Sequence, residues 1–142
     1  MYPEALIIPM REQLVRAGIK ETRTAREVDA ALALPGTTLL AINAICDVAA
    51  AKMRPGLRLA LKDAAILPDH MITVFAGQDI EATERARSYL VPNPPSSPAI
   101  AMLRDGKLLY LLQRDQIDES TPKLLAVELK RAMGDFCTRE VV

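Results

Sequence analysis

The residue best suited to chemistry in this 142-residue chain is Cys46. It follows an apolar run, residues 37–45, that is rich in β-branched side chains and suits a strand buried on both faces. Asp47 and a series of good helix formers from Val48 to Arg54 come next. A cysteine at the amino end of a helix is close to free backbone N–H groups and to the positive end of the helix dipole, which lower the pKa of its thiol. The sequence therefore predicts a reactive thiolate at Cys46, with a buried and unreactive small hydrophobic residue as the alternative.

Few other residues offer chemistry of this kind. The chain contains one further cysteine, Cys137, and a single histidine, His70. Two distant cysteines without a secretion signal do not indicate a structural disulfide, and these three residues cannot build a metal site unless carboxylates help. We therefore expect no bound metal, and we expect the chemistry to depend on Cys46.

The composition argues against several classes of partner. Lys plus Arg equals Asp plus Glu at 18 each, and aromatic residues make up only 4% of the chain, with no Trp. This balance lacks the basic surface and the stacking platforms of a nucleic-acid-binding protein. No apolar segment reaches the roughly 18 residues that span a bilayer, and no secretion signal is recognisable. We predict a single domain, residues 1–142, in the cytoplasm, that binds neither nucleic acid nor a membrane.

Two apolar strands and the helix between them are expected to position Cys46. The first strand is the run before Cys46, and the second covers residues 71–75. Strands joined by a helix are parallel and connected by a right-handed crossover. The pair Pro55-Gly56 should kink or break the intervening helix, because proline removes a helical hydrogen bond and clashes with the preceding turn.

The rest of the chain predicts a hairpin and further helices. Residues 99–103 and 107–112 flank Asp105-Gly106, the strongest short hairpin signal. Helices are predicted over residues 2–17, after the Thr24 capping box, after the cap residue Asp79 and after Thr121. This order predicts an α/β protein with a thioredoxin-like fold. Its mixed four-stranded sheet, a parallel βαβ unit plus an antiparallel hairpin, is flanked by helices and extended by an extra N-terminal helix.

Two loops are expected to lie beside Cys46. Gln78 follows the second strand, and ligands bind where the loops leave the carboxyl ends of adjacent parallel strands, although Gln78 could equally be the neighbour of a helix cap. In thioredoxin-like proteins a cis-proline just before the third strand faces the active cysteine, and Ser97-Pro98 stands at that point here. We therefore predict a substrate-binding site of Asp47, Val48, Gln78, Ser97 and Pro98 around Cys46.

Over nearly its whole length the chain resembles the bacilliredoxins, a family of thioredoxin-like proteins. The most specific blocks are Phe75-Ala-Gly-Gln-Asp79 and Pro95-Ser-Ser-Pro98. Further agreement lies in Leu6-Ile-Ile-Pro-Met-Arg11, Gly36-Thr-Thr-Leu39, Cys46 with Ala49, Ala50, Arg54 and Pro55, Thr73-Val74, and Glu81-Ala-Thr83. The resemblance implies a cytoplasmic thiol oxidoreductase without a bound cofactor. Such an enzyme removes a low-molecular-weight thiol, bacillithiol, from mixed disulfides on thiol-modified client proteins.

The chain departs from the Cys-Gly-Cys motif of that family. Asp47 occupies the glycine position and Val48 the position of the second cysteine, which leaves a monothiol mechanism with Cys46 as nucleophile. The resolving thiol is then a free small thiol, another protein, or Cys137, which resembles a C-terminal cysteine of family members. The carboxylate of Asp47 either opposes the thiolate or caps the helix.

A protein of another class remains as an alternative. The absence of the second motif cysteine is also consistent with a redox-inactive, thioredoxin-like binding module. Such a module would bind a partner with the surface around Cys46, Gln78 and Pro98. A Cys46 pKa at or above that of a free thiol, about 8.5, favours this alternative. Homodimerisation through an apolar helix face is a further possibility.

Overall fold

A computed structural model describes residues 1–45 and 48–140 of the chain. The helices are α1 (Glu4–Val15), α2 (Ala25–Leu32), α3 (Val48–Asp63), α4 (Ile80–Ser88), α5 (Arg114–Asp118) and α6 (Pro122–Phe136). The strands are β1 (Lys20–Glu21), β2 (Thr37–Asn43), β3 (Ile66–Leu67), β4 (His70–Phe75), β5 (Ala99–Arg104), β6 (Lys107–Leu112) and β7 (Arg139–Glu140). None of the helices in that part of the chain is both long and apolar enough to cross a membrane.

Strand β2 lies at the centre of a five-stranded sheet with the order β1-β4-β2-β5-β6. It pairs in parallel with β4, where Leu40 faces Ile72, and antiparallel with β5, where Leu40 faces Ala101. All seven residues of β2 are buried, as expected for an apolar run without polar alternation. The predicted parallel unit and antiparallel hairpin are confirmed.

The sheet has one strand more than the predicted four. The additional strand, β1, contains only Lys20 and Glu21 and runs parallel to β4. Two residues are too short to show a period-2 pattern, so no sequence signal marks them as a strand. They pair with β4 because that strand would otherwise leave its outer backbone groups unpaired at the edge of the sheet.

Helices cover both faces of the sheet. Alternate residues of β2 point to opposite faces: Leu39 and Ala41 join one core cluster, and Leu40 and Ile42 join the other. The first cluster contains residues of α1, α3 and α6, and the second contains residues of α2 and α4. Because side chains alternate along β2, this one strand contributes residues to both core clusters.

Helix α3 continues through Pro55 to Asp63, so of the two predicted alternatives at Pro55-Gly56 the break is wrong, and the kink stays a prediction. Gly56 is buried against α6, and a Cβ atom added there would lie 2.9 Å from the Cβ of Leu125 and 3.2 Å from the carbonyl oxygen of Pro122. The small residue after the proline lets the two helices approach closely. Burial of the apolar face of α3 against α6 compensates for the hydrogen bond that proline removes.

The local signals for the hairpin turn and for the Thr24 and Thr121 caps are confirmed. The hairpin turn has positive φ at both central residues, 51° at Asp105 and 80° at Gly106, as a type I′ turn requires. The hydroxyl of Thr24 accepts a hydrogen bond from the backbone N–H of Glu27, and that of Thr121 from the N–H of Leu124. These bonds satisfy donors that the first turn of each helix leaves free.

Candidate functional site

Three segments converge at the carboxyl end of β2. Asn43 at that end faces Phe75 of β4, and its carbonyl accepts a hydrogen bond of 2.9 Å from the N–H of Ala76. On the other side Ile42 faces Ala99 of β5. Pro98, which precedes Ala99, therefore lies next to the segment that leaves β2. The loop after β4, the proline segment before β5 and the chain leading to position 46 share one edge of the sheet.

The structure describes some of the predicted site residues but not all of them. Cys46 and Asp47 lie outside the described residues. Val48 is the first residue of α3 and is 61% exposed. The Ser97–Pro98 peptide bond is cis, with Pro98 buried and Ser97 half-buried. The structure thus brings Ser97 and Pro98 next to the segment that leaves β2 toward position 46, and the substrate-binding roles of these residues stay predictions.

A polar cavity of about 330 Å³ lies beside Ser97. Its walls include Arg87 from α4, the segment from Pro94 to Ser97, and Arg114 and Asp115 from α5. The backbone N–H of Arg114 donates to the Ser96 hydroxyl over 2.8 Å, which joins two of these walls. The cavity has the charge and polarity to take a polar ligand. No group of three or more His, Cys, Asp or Glu side chains in residues 1–45 and 48–140 is arranged to hold a metal ion.

The side chain of Gln78 is occupied by the N-terminal segment. Its amide oxygen accepts a hydrogen bond of 2.9 Å from the N–H of Tyr2, and its amide nitrogen donates to the Tyr2 carbonyl and to the Glu4 carboxylate, each over 3.0 Å. Gln78 therefore ties the start of α1 to the loop after β4. For Gln78 to bind substrate, its side chain would have to exchange these hydrogen bonds for bonds to the substrate.

Asp79 is the N-cap residue of α4, as predicted, but its carboxylate makes no capping bond. It instead accepts two hydrogen bonds from the guanidinium of Arg11, over 2.7 and 3.0 Å. Arg11 also donates to Glu4 over 2.8 Å and lies 5.1 Å from the ring centroid of Phe75. Burial alone would lower the pKa of Arg11, but the hydrogen bonds that Arg11 donates to Asp79 and Glu4 outweigh this effect and raise that pKa. This buried ion cluster fixes α1 at the edge of the sheet where the site lies.

Arg54 is the site residue that pattern analysis did not find on its own. Its Nη1 donates to the side-chain oxygen of Asn43 over 3.1 Å and to the carbonyl of Ala44 over 2.7 Å. Arg54 is only 6% exposed, and burial lowers its pKa. Its position in α3, four residues after Ala50 and three before Leu57, places it on the apolar face of the helix, and this spacing could have identified it.

Cys137 lies at the other end of β2. It is buried, and its sulfur is 4.0 Å from the sulfur of Met102. Burial raises the pKa of the Cys137 thiol, and a hydrogen bond with Thr37 counteracts part of this effect. Thr37 begins β2, whereas position 46 follows its carboxyl end, and a strand of seven residues is roughly 20 Å long. The placement favours a core role for Cys137, and a resolving role stays a prediction.

We expect Cys137 to react slowly with alkylating reagents in the native protein. Its thiolate is disfavoured by burial and its sulfur is covered, so labelling at pH 8 should be at least about tenfold slower than in denaturant. Site-resolved mass spectrometry after timed iodoacetamide labelling measures this ratio. Equal rates in native and denatured protein would show that the thiol is open to solvent.

The chain is similar to known proteins of one family over most of its length. The family model described as "Disulphide isomerase" matches residues 2–137. A bacilliredoxin of Koribacter versatilis is 49% identical over 138 residues, covering 96% of this chain and 94% of that protein. A bacilliredoxin of Cytophaga hutchinsonii is 45% identical over 136 residues, covering 96% of this chain and 100% of that protein.

Solved structures agree with the fold. The oxidised thioredoxin of Plasmodium falciparum superposes with a TM-score of 0.59 at 14% identity, covering 84% of this chain and 99% of that one. Mitochondrial thioredoxin 3 of Saccharomyces cerevisiae superposes with a TM-score of 0.56 at 13% identity, covering 84% of this chain and 96% of that one. These similarities confirm the predicted thioredoxin-like fold.

Proposed function

The chain belongs to the bacilliredoxin family, and from that premise we propose that it is a thiol–disulfide oxidoreductase with Cys46 as its nucleophile. One observation carries the proposal: the segment leading to Cys46 leaves the carboxyl end of the central strand, beside Pro98, which directly precedes β5. Cys46 precedes α3 in the chain, where helix N–H groups favour a thiolate. The proposed substrates are mixed disulfides between client proteins and a low-molecular-weight thiol.

The proposed reaction has two exchange steps. The Cys46 thiolate attacks the small-thiol sulfur of the mixed disulfide, the sulfur–sulfur bond to the client breaks, and the client leaves as a thiolate. The small thiol is then held on Cys46 as a new disulfide. A second molecule of small thiol attacks that disulfide as its thiolate, which forms a small-thiol disulfide and restores the Cys46 thiolate. Overall the client thiol is reduced, one free small thiol is oxidised as it joins the small-thiol disulfide, and no bound cofactor takes part.

An external resolving thiol is the part of this mechanism specific to this chain. Val48 replaces the second motif cysteine and carries no thiol, and Cys137 is buried beside Met102. We therefore assign resolution to a free small thiol or to another protein. Bacillithiol is the small thiol that the family relationship favours, and the cytoplasm is the compartment in which such thiols stay reduced.

The substrate-binding surface of the proposal is the edge formed by Val48, Ser97 and Pro98. The proposal also includes Gln78 and Asp47, of which Asp47 lies outside the described residues. The cavity next to Ser97 has Arg87 and Arg114 on its walls, which suits the polar part of a small thiol. The client backbone would lie against the segment before β5. The possible homodimer stays a prediction.

An assay of small-thiol removal tests the proposal. A client protein carrying one mixed disulfide is incubated with excess small thiol and with wild type, Cys46→Ser or Cys137→Ser, and the released client thiol is measured. We expect Cys46→Ser to fall to the uncatalysed rate, because it lacks the nucleophile, and Cys137→Ser to retain the wild-type rate. Equal rates in all three proteins would exclude both cysteines from the reaction.

The replaced motif cysteine also favours a second candidate, a redox-inactive module that binds a partner at the same edge. The two candidates differ in the pKa of Cys46, which pH-dependent alkylation measures. A pKa below that of a free thiol, about 8.5, supports the oxidoreductase. A value at or above it, together with loss of turnover, supports the binding module.

A further inference from the structure

A second cavity, of about 530 Å³, lies between the end of α1 and helix α3. Its cationic wall residues are Arg16, which follows α1, and Arg58 and Lys62 of α3. The remaining wall residues are apolar and include Ala17, Leu59 and Leu61. None of the residues in these walls, all of which the structure describes, is acidic. The cavity therefore combines positive charge with apolar surface.

The two cations on α3 have no counter-charge in the described part of the chain. Arg58 and Lys62 are four residues apart, so their side chains project from the same face of α3, and both are exposed. Neither forms an ion pair with a residue of 1–45 or 48–140. The chain as a whole is neutral, with 18 basic and 18 acidic residues, so this excess of positive charge is local. Like charges at this helical spacing repel each other, and an anion bound between them would relieve the repulsion.

The negative groups near the α1 wall of the cavity oppose an anion only weakly. Arg16 pairs with Glu12 over 3.2 Å, but the two side chains are 79% and 50% exposed. An exposed pair of this kind contributes little to stability, so an anion can bind Arg16 beside Glu12 or in its place. The end of a helix also carries partial negative charge on its last carbonyl groups. Here the carbonyls of Glu12, Leu14 and Val15 already accept hydrogen bonds from the backbone N–H groups of residues 16–18.

We propose that this cavity binds a small amphipathic organic anion, which carries a carboxylate or phosphate group on an apolar body. The guanidinium of Arg58 and the ammonium of Lys62 bind the anionic group. Leu59, which is 38% exposed, contacts the apolar body. A volume of about 530 Å³ lies in the range of small-molecule sites. The inference goes beyond the thiol chemistry proposed above and does not involve Cys46.

Binding of the dye anilinonaphthalenesulfonate, an apolar ring system with one anionic group, tests the inference. The rise in dye fluorescence on titration with the folded protein gives a dissociation constant. We expect Arg58→Gln and Lys62→Gln each to raise this constant by about fivefold, because each removes a charge that contacts the sulfonate. Lys62→Arg keeps the charge and should bind the dye as the wild type does.

Arg26→Gln is the matched control for the two glutamine variants. Arg26 is an exposed arginine of α2, which packs on the opposite face of the sheet, and its replacement changes the net charge by the same amount. The dissociation constant of the dye should therefore stay at the wild-type value. Cys46→Ser should also bind the dye normally, so failure of the proposed thiol chemistry is distinguishable from failure of this inference.

Competition with the bound dye distinguishes the two kinds of anionic group. Decanoate and decyl phosphate are compared with decanol, the uncharged reference, and we expect at least one of the anions to displace the dye at about tenfold lower concentration than decanol. Equal displacement by decanol, no saturable dye binding, or equal affinity in wild type and both glutamine variants would overturn the inference. Dye binding that is lost as the protein dimerises in sedimentation experiments would assign the cavity to a contact between two copies and would also overturn it.

Discussion

Replacement of Arg11 by methionine is expected to lower the free energy of unfolding by about 3–5 kcal/mol. The side chain of Arg11 is 5% exposed, and that of its bidentate partner Asp79 is 10% exposed. Removing the guanidinium leaves the Asp79 carboxylate buried without its counter-charge, which costs more than the lost attraction alone. Chemical denaturation monitored by circular dichroism measures the change.

Arg85→Met is the matched control for Arg11→Met. Arg85 also pairs with an aspartate, Asp29, and lies 5.5 Å from the ring centroid of Tyr89, but its side chain is 47% exposed. Solvent screens this pair, so its loss should move the denaturation midpoint only slightly. Similar midpoints for both variants would show that burial of the Arg11 cluster contributes nothing to stability.

The Arg11 cluster also predicts a pH dependence. Burial would raise the pKa of Glu4, but hydrogen bonds from Gln78 and Arg11 and the charge of Arg11 lower it below its usual value of 4.5. A carboxylate with a lowered folded-state pKa stabilises the protein above its unfolded pKa, and this contribution is lost as the pH falls through the folded value. The difference in the free energy of unfolding between wild type and Arg11→Met should therefore become smaller below about pH 4.5. If this difference in the free energy of unfolding stays constant down to pH 3, Glu4 does not have the role given to it here.

Replacement of Gly56 by valine is expected to lower the free energy of unfolding by about 2–3 kcal/mol. A Cβ atom at this position would lie 2.9 Å from the Cβ of Leu125, so α3 and α6 would have to separate. Helix propensity favours valine over glycine only slightly and offsets little of this cost. Because Arg54 is two residues away on α3, the variant should also disturb the segment that leads to Cys46.

Gly134→Val is the control for Gly56→Val. Gly134 also lies inside a helix, α6, but is exposed, and an added Cβ there would meet no atom within 4 Å. We expect the free energy of unfolding of Gly134→Val to stay within about 0.5 kcal/mol of the wild-type value. A comparable loss in both variants would assign the effect to valine in a helix and not to contact between α3 and α6.

The sequence by itself determined the elements that depend on near neighbours. The buried strand β2, the hairpin turn at Asp105-Gly106 and the Thr121 cap are each encoded within a few residues, by hydrophobic period or by turn and capping chemistry. Because α3 joins two apolar strands, their parallel pairing could also be predicted, and the family resemblance identified the fold. Cys46 was identified in the same local way, from the change of pattern around it.

Only the tertiary structure decided which distant residues meet. Asp79 has the sequence context of a helix cap, yet its carboxylate binds Arg11, which is far away in the chain. Pro55 has the context of a helix break, yet α3 continues because Gly56 allows close packing with α6. Arg54 has an ordinary helical context, and its burial beneath Asn43 and Ala44 follows from how α3 lies against the sheet. Local patterns specify periodicity and turns, whereas ion pairing and burial depend on the free energy of contacts between segments that the chain brings together only on folding.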